Sequence, residues 1–302
     1  MSSLWLLAVL AIKAVFANNE QFELYKNAKP GHMELDPKYG HIFDTEFFQN
    51  CQDNRIAGGG WESEPNSRPY QVGIYVPTAN SGVSFCGGSI IGPQAFLTAA
   101  HCLDISNGDP ITIHLGAHHM PPTSADEGLR TLTTSHFLLH PEWNAATIQN
   151  DIAIIFTNLD YIVQNEYIQY IPLASNPSES YLGKEAVVSG WGLQGDDHSA
   201  ISPVLREVKS TIISNLACRM AYMGQVQRHH ICLSGEERRS TCRGDSGGPL
   251  VVDGEQVGVV SFGTSAGCEV GWPPAFARVT TYIDWINQNV EFFRKHQRIM
   301  EQ

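Results

Sequence analysis

The amino-acid sequence predicts an all-β fold with one helix near its carboxyl end. Apolar, β-branched runs of strand length recur along the chain, and glycine or proline separates one run from the next. The runs are SFCGGSII, AFLTAA, DIAIIF, EAVVSGWG and PLVVDGEQVGVVSFG. A chain of 302 residues can bury a sizeable core, and all-β barrels of this length often form a single domain.

The predicted helix follows from the spacing of apolar residues. Ile283, Ile286, Val290 and Phe293 recur at intervals of three and four, which places them on one face of an α-helix. No other segment predicts a helix, and no internal repeat or low-complexity tract is present.

The amino-terminal residues 1–17, MSSLWLLAVLAIKAVFA, predict a signal peptide. They are apolar, and Val15 and Ala17 supply the small residues that signal peptidase favours before its cut. A membrane anchor is the alternative, but Lys13 interrupts the stretch, which is shorter than the roughly 20 apolar residues that span a bilayer. Residues 18–55 are polar and aperiodic and predict a pro-segment, so residues 56–302 form the body of an exported, soluble protein.

The charge balance bears on binding partners. The formal net charge is −12 and the isoelectric point is near 5.4. Nucleic acids and anionic membranes are bound through clustered lysine and arginine, so neither is an expected partner. Proteins and small molecules are expected instead.

Export changes the interpretation of the seven cysteines, because disulfides persist outside the cell. No CxxC pair is present, which argues against a zinc ribbon or a thioredoxin-type motif. Six cysteines in the body can close three bridges in any of fifteen ways: Cys86, Cys102, Cys218, Cys232, Cys242 and Cys268. Cys51 is left over, either free or linking two chains.

Three short motifs together offer the parts of a nucleophilic site. A serine hydroxyl attacks well only when a base takes its proton, and the base must be held in the right tautomer by a carboxylate. LTAAHC supplies His101, NDIAII supplies Asp151 and GDSGGP supplies Ser246. In the last motif, the amides of Gly244 and Ser246 can face a developing oxyanion.

The order His, Asp, Ser and the motifs TAAHC, DIAI and GDSGGP resemble the chymotrypsin and trypsin family of serine proteases, from Ile56 to about Gln288. Within this family, the sequence resembles arthropod digestive chymotrypsin-like proteases. The resemblance implies two packed six-stranded antiparallel β-barrels, a cleft between them and a C-terminal helix. It also implies the disulfides Cys86–Cys102, Cys218–Cys232 and Cys242–Cys268.

The segment NRIAGG implies activation by proteolysis. By resemblance, a trypsin-like protease cuts after Arg55, and the new α-amine of Ile56 pairs with Asp245. An α-amine has a pKa near 8, so it can be charged at neutral pH and can partner a buried carboxylate. Asp245 is then a switch that orders the oxyanion amides, and the uncleaved chain is a zymogen.

Substrate preference is predicted from five positions that the resemblance assigns to substrate binding. Ser240 lies at the floor of the primary pocket without charge, and Gly263 leaves the entrance open. Both favour cleavage after large apolar residues. Pro274 on the wall could make the pocket shallower, so an elastase-like preference for Ala or Val is the alternative. Ser261, Phe262 and Gly263 pair with the extended substrate as an added strand.

The protein is expected to be a secreted, extracellular and monomeric endopeptidase. Its expected substrates are proteins and peptides, with digestion in the gut lumen as a candidate setting. Protein inhibitors are further expected partners. A regulatory protease with one protein substrate is the alternative. An inactive homologue is disfavoured because all three catalytic residue types are present. No cofactor or metal is predicted: Ala117 stands where relatives that bind calcium have a ligand, and the histidine pairs 118–119 and 229–230 are expected in surface loops without a metal-binding spacing.

Overall fold

The protein is described here by a computed structural model that covers residues 60–79, 82–157 and 162–300, with side chains up to residue 296. The predicted signal peptide, the pro-segment, Cys51 and the Arg55–Ile56 junction lie outside the described residues.

Fourteen strands, numbered in chain order, occupy the described part of the chain. They are β1 (Trp61–Glu62), β2 (Gln71–Pro77), β3 (Val83–Gly92), β4 (Ala95–Thr98), β5 (Ile111–Leu115), β6 (Arg130–Thr134), β7 (His136–Leu139), β8 (Ala153–Phe156), β9 (Glu185–Gly190), β10 (Arg206–Ile213), β11 (His230–Leu233), β12 (Pro249–Val252), β13 (Glu255–Phe262) and β14 (Ala275–Arg278). The predicted all-β class is confirmed, and each of the five apolar runs contains at least one strand.

The first sheet, called the N-terminal sheet, has the strand order β6-β5-β2-β3-β4-β8-β7. It curls into a half-barrel but has no hydrogen-bonded ladder between its edge strands β6 and β7. Only Ser135 separates these two strands in the chain, so they meet end to end at a corner, where the Thr134 hydroxyl donates to the carbonyl of Phe156 (2.7 Å). The N-terminal sheet is therefore a curled half-barrel within the predicted all-β fold.

The second sheet, called the C-terminal barrel, is closed. Its order is β10-β11-β14-β13-β12-β9, β9 pairs with β10 to complete the ring, and β1 adds to β10. Its core is filled by apolar side chains from the strands, among them Val188, Ile231, Leu250 and Phe276. Closure leaves six strands with partners on both sides, which gives this half a regular frame.

Three α-helices accompany the sheets in the described part of the chain: α1 (Ala100–Leu103), α2 (Asn215–Ala221) and α3 (Val279–Met300). The predicted helix corresponds to α3, which buries Ile286 in the core of the N-terminal sheet and stacks Phe293 on Phe156 with ring centroids 4.2 Å apart. The prediction missed α2, whose seven residues are too few for an apolar period; its first turn is capped by the Ser214 hydroxyl, which accepts from the Ala217 amide. No helix among the described residues has both the length and the apolar composition needed to cross a membrane.

Buried hydrogen bonds join the two sheets, and we call this set of contacts the inter-sheet seam. The Ser89 hydroxyl on β3 donates to the Gln256 amide oxygen on β13 (2.7 Å), and the Ser189 hydroxyl on β9 donates to that of Gln71 on β2 (2.7 Å). These four side chains are at most 2% exposed. Because buried polar groups must be paired, each bond fixes how one sheet lies on the other.

Three disulfides form in the pairing that the resemblance implies. Cys86–Cys102 ties β3 to α1, Cys218–Cys232 ties α2 to β11, and Cys242–Cys268 joins two loops near Ser246. Their presence fits an extracellular protein.

The expectation that the two histidine pairs lie on surface loops is wrong. His118 and His230 are buried, and His119 and His229 are half-buried. His230 belongs to β11, in which all four residues are buried, and its Nδ1 accepts a hydrogen bond from the Gln227 amide (3.0 Å). A histidine with such a partner can be buried, which composition alone does not reveal.

Candidate functional site

Strand pairing brings His101 and Asp151 together. His101 follows β4 and Asp151 precedes β8, and these strands are antiparallel with Thr98 opposite Ala153. The end of β4 and the start of β8 therefore lie side by side, although 50 residues separate the two functional groups. β8 is buried throughout, which explains its uninterrupted apolar run.

Short hydrogen bonds hold Asp151 against His101. One carboxylate oxygen of Asp151 lies 2.7 Å from Nδ1 of His101, and the other accepts from the His101 backbone amide (2.9 Å). The Ser261 hydroxyl donates to the first oxygen (2.6 Å). Three donors on a carboxylate that is 1% exposed fix both its position and its charge.

His101 and Asp151 each stabilise the charged form of the other. Burial acts to lower the pKa of His101, but the charge of Asp151 and the hydrogen bond to it outweigh burial and raise that pKa above its ordinary value. Burial acts to raise the pKa of Asp151, but the charge of His101 and the hydrogen bonds from His101 and Ser261 lower it. The pair favours an imidazole that gains a proton readily beside a carboxylate that stays ionised.

Ser246 lies on a glycine-rich turn pressed against the N-terminal sheet. Its carbonyl accepts from the Gly87 amide (2.8 Å). Gly247 has φ +80°, and a Cβ there would come within 2.2 Å of the Thr98 hydroxyl and 3.1 Å of the Ala99 amide. Only glycine fits this contact, and it places the turn beside the end of β4, where His101 follows.

The described residues contain no hydrogen bond between the Ser246 hydroxyl and His101 Nε2. Catalytic hydrogen bonds are often long before substrate binds. The Ser246 turn nevertheless lies beside the end of β4, which His101 follows. The His101 side chain is 31% exposed, which leaves its outer nitrogen room to meet a substrate.

A hydrogen bond from Leu193 sets the orientation of the peptide between Arg243 and Gly244. The Arg243 carbonyl accepts from the Leu193 amide (2.8 Å). In a trans peptide the carbonyl and the next amide N–H point in opposite directions, so the Gly244 N–H points away from Leu193. In the described part of the chain, neither this N–H nor that of Ser246 donates to a backbone carbonyl, as the predicted oxyanion role requires.

Asp245, between these two amides, is turned inward. It is 1% exposed, and its carboxylate oxygens accept from the amides of Gly192 and Cys242 at 2.8 Å each. Burial raises its pKa to about 6, although those two bonds act to lower it. Within residues 60–79, 82–157 and 162–300, no cationic side chain pairs with this carboxylate.

The remaining predicted site residues lie around this centre. Ser240 is buried, and its hydroxyl donates to the Thr241 carbonyl (3.1 Å). A Cβ on Gly263 would meet nothing within 4 Å, so space is open there. Phe262 is half-buried, and Pro274 is buried with its carbonyl accepting from the Leu233 amide.

Two contacts at the site were not predicted from the sequence. Ser261 was predicted to bind substrate, but its hydroxyl also contacts Asp151, and Leu193 was not predicted at all. A serine in a strand and a leucine in a loop carry no chemical signal of their own. Their roles come from atoms that the fold places next to Asp151 and Arg243.

Potential metal ligands come together twice in the described residues. One group is Cys86, His101 and Cys102, and the other is Asp196, Cys242 and Cys268. Each contains both sulfurs of a disulfide, and a disulfide sulfur lacks the thiolate charge that binds metals.

The chain is similar to known proteins in sequence and in structure. The family model described as Trypsin matches residues 57–286. Brachyurin from Leptuca pugilator is 39% identical over 228 residues, 76% of this chain and 96% of that protein. Chymotrypsin from Phaedon cochleariae is 35% identical over 77% of this chain and 82% of that protein. The solved structure of HL collagenase is 32% identical with a TM-score of 0.70, covering 77% of this chain and 97% of that one.

Proposed function

The chain belongs to the trypsin family of serine proteases, and from this premise we propose that its nucleophile is Ser246, its general base His101 and its orienting carboxylate Asp151. Family membership makes the protein a serine endopeptidase. The observation that carries the assignment of residues is the 2.7 Å contact between His101 and Asp151, beside the turn that bears Ser246.

In the first half of the proposed reaction, the Ser246 hydroxyl attacks the carbonyl carbon of a peptide bond while its proton passes to His101 Nε2. The oxyanion that forms accepts hydrogen bonds from the N–H groups of Gly244 and Ser246. The C–N bond then breaks, and the leaving amine takes the proton from His101. An acyl-enzyme remains on Ser246.

In the second half, water replaces the amine. His101 takes a proton from the water, which attacks the ester carbonyl, and the same amides hold the second oxyanion. The Ser246–acyl bond breaks, and the proton returns from His101 to the Ser246 oxygen. Asp151 stays ionised throughout and stabilises the imidazolium of both half-reactions.

Activation is proposed to follow cleavage after Arg55. The support within the described residues is Asp245, a buried carboxylate with a raised pKa and no cationic partner there. The α-amine of Ile56 has the charge that this carboxylate lacks. Their pairing would fix the turn from Cys242 to Ser246 and with it the two oxyanion amides. Residues 1–17 would direct export, and residues 18–55 would be removed on activation.

Cleavage after large apolar residues is the proposed specificity. The uncharged Ser240 and the open space at Gly263 support it, while Pro274 favours the elastase-like alternative. A digestive role in an extracellular setting accords with the disulfides and with the similarity to chymotrypsin from Phaedon cochleariae.

The central experiment compares the protein before and after limited cleavage by trypsin. We expect activity on a peptide substrate only after cleavage at Arg55, and a fall of about 10⁶-fold in kcat for Ser246→Ala. Ser175→Ala, an exposed serine remote in sequence from the site, is the control and should leave kcat unchanged. Equal activity with and without cleavage would reject the activation step, and an active Ser246→Ala enzyme would reject the nucleophile.

A second experiment tests specificity with matched peptides that present Phe, Leu, Ala or Arg before the scissile bond. One methylene in an apolar pocket changes discrimination by only about 1–3 kcal/mol, so kcat/KM must be compared across the series. Fastest cleavage after Phe or Leu is expected. Preference for Ala would show that Pro274 limits the pocket, and preference for Arg would reject the assignment of Ser240.

A further inference from the structure

Two acidic side chains tie together the two loops that flank the oxyanion amides. The Asp196 carboxylate accepts from the backbone amides of Cys268 (2.8 Å) and Glu269 (3.3 Å). The Glu269 carboxylate in return accepts from the Asp196 amide (3.0 Å). The contacts are reciprocal, and each carboxylate binds the backbone of the opposite loop. We call these two residues the Asp196–Glu269 pair.

Both loops have a glycine where the opposite carboxylate approaches. Gly267 has φ +132°, and a Cβ there would lie 2.4 Å from an Asp196 carboxylate oxygen. A Cβ on Gly195 would lie 2.9 Å from a Glu269 carboxylate oxygen. Two glycines that admit two carboxylates show that the backbone of each loop is shaped for this contact.

The Asp196–Glu269 pair links the two contacts that hold the Arg243–Gly244 peptide in place. Leu193, three residues before Asp196, donates its amide to the Arg243 carbonyl (2.8 Å). Cys268, next to Glu269, is bonded to Cys242, which precedes Arg243. The peptide that presents the Gly244 N–H is thus held from one side by the Leu193 hydrogen bond and from the other by the disulfide. The acidic pair joins these two supports.

We propose that Asp196 and Glu269 are positioning residues for the oxyanion amide of Gly244. They keep the loop of Leu193 in place against the loop of Cys268, so that the Leu193 amide holds the Arg243 carbonyl and the Gly244 N–H stays directed at the oxyanion. The proposal rests on the proposed function, because it concerns the oxyanion site of that mechanism. It predicts a loss in the chemical step and not in substrate binding, since the oxyanion forms only during reaction.

The test uses the activated enzyme and the variants Asp196→Ala, Asp196→Asn and Asp197→Ala. Asn keeps one oxygen that can accept from the Cys268 amide, so it should recover most of the activity. Asp197 is exposed and lies in the same loop, so its alanine variant removes the same charge without the contact. The readouts are kcat and KM on a peptide substrate, together with inhibition by a peptide aldehyde. Addition of Ser246 to the aldehyde forms a tetrahedral adduct whose oxygen occupies the oxyanion position.

For Asp196→Ala we expect kcat to fall about tenfold, less than the loss of a whole oxyanion donor, with KM within about twofold. The inhibition constant of the aldehyde should rise by a similar factor. Asp196→Asn should lie near the wild type, and Asp197→Ala should equal it. Unchanged kcat and aldehyde inhibition in Asp196→Ala would overturn the proposal, as would a change confined to KM.

Variants of Glu269 test the same proposal independently if Asp196→Ala fails to fold. Glu269→Ala should reproduce the fall in kcat, and Glu269→Gln, which can still accept from the Asp196 amide, should restore it. The double alanine variant should be no worse than the poorer single variant, because both residues serve one support. Additive losses would reject this joint role. The failure of the catalytic mechanism gives a different result from the failure of this proposal. If the mechanism is wrong, Ser246→Ala keeps its activity. If only this proposal is wrong, Ser246→Ala is inactive and Asp196→Ala has the kcat of the wild type.

Discussion

In the proposed mechanism, the two halves of the molecule contribute to catalysis in different ways. The N-terminal sheet supplies side chains: His101 and Asp151 extend from the paired ends of β4 and β8 and bind each other directly. The C-terminal barrel and its loops supply Ser246 and two backbone amides, which are held by buried contacts with other loops. One half presents titratable groups, and the other presents the nucleophile on a shaped backbone.

This difference teaches how each half can be altered. A side chain can be removed by one substitution while the strands remain, so the N-terminal contribution should fail residue by residue. Apart from the Ser246 hydroxyl, the C-terminal half contributes backbone amides, which cannot be removed in that way and can be weakened only through the groups that hold them. The predictions below test this contrast.

Among the substitutions that test this contrast, the largest effect is expected for His101→Ala. Removing the base should lower kcat by several orders of magnitude, because the base acts in the transition state. The side chain is 31% exposed and outside the core, so the thermal unfolding midpoint should stay within a few degrees of that of the wild type. Kinetic assays on the activated enzyme, paired with calorimetry, measure both. A fall in kcat below tenfold would remove His101 from the mechanism.

Asp151→Asn should follow, with a fall in kcat of about 10⁴-fold, a magnitude typical of this family. The pH profile gives the sharper result. His101 must be neutral to act as base, so kcat/KM should rise with pH through a pKa above 6.5, because Asp151 stabilises the imidazolium. Without that charge, the midpoint of the remaining activity should move to lower pH. A midpoint that does not move would contradict the electrostatic coupling of the two residues.

In the C-terminal half, Asp245 should make the free energy of unfolding depend on pH. Burial raises the pKa of Asp245 from 3.8 to about 6, so in the uncleaved chain the carboxylate destabilises the folded state as pH rises through that interval. The loss approaches about 3 kcal/mol by pH 7. Urea unfolding of the Ser246→Ala protein, which cannot digest itself, measures it before and after cleavage.

Cleavage at Arg55 should recover much of this loss, because the α-amine of Ile56 then pairs with the carboxylate. Asp245→Asn, made in the same Ser246→Ala protein, is the matched control and should show neither the loss nor the recovery. An identical pH dependence with and without the Asp245→Asn substitution would assign the effect to other groups.

The smallest effect is expected for Ser261→Ala. It removes a 2.6 Å hydrogen bond to Asp151 but leaves both bonds from His101. We expect kcat/KM to fall about tenfold, since a hydrogen bond to a charged group contributes about 1.5–3 kcal/mol and part of it is recovered by the remaining donors. Steady-state kinetics with Ser175→Ala as control decide this. A loss as large as that of Asp151→Asn would mean that Ser261 carries more of the orientation than His101 does.

The sequence was sufficient for the fold class, the family and the C-terminal helix, because each depends on local patterns. The runs before His101 and after Asp151 are continuous apolar strands, and GDSGGP joins a nucleophile to glycines that permit a tight turn. The family resemblance is confirmed by the match over residues 57–286. The assignments of Ser246, His101 and Asp151 remain predictions that the geometry supports.

Other features depend on contacts that no local pattern encodes. In the N-terminal sheet, the two edge strands β6 and β7 are consecutive in the chain, with only Ser135 between them, and this return of the chain follows from the strand pairing and not from a local motif. The burial of His118 accompanies a contact of its Nε2 with the Glu62 carboxylate, 56 positions away (3.0 Å). The Asp196–Glu269 pair joins residues 73 positions apart, and its charged side chains would ordinarily be expected to face solvent.

The inter-sheet seam also has a consequence for the folding of the chain. Its two side-chain bonds join residues 167 and 118 positions apart, so each closes a long loop before any stability is gained from it. Topologies dominated by such distant contacts fold slowly. Proteins of this kind are preserved less by their equilibrium free energy than by a high barrier to unfolding. For a serine endopeptidase, whose own copies can cut an opened chain, a slow opening of this seam would set its working lifetime.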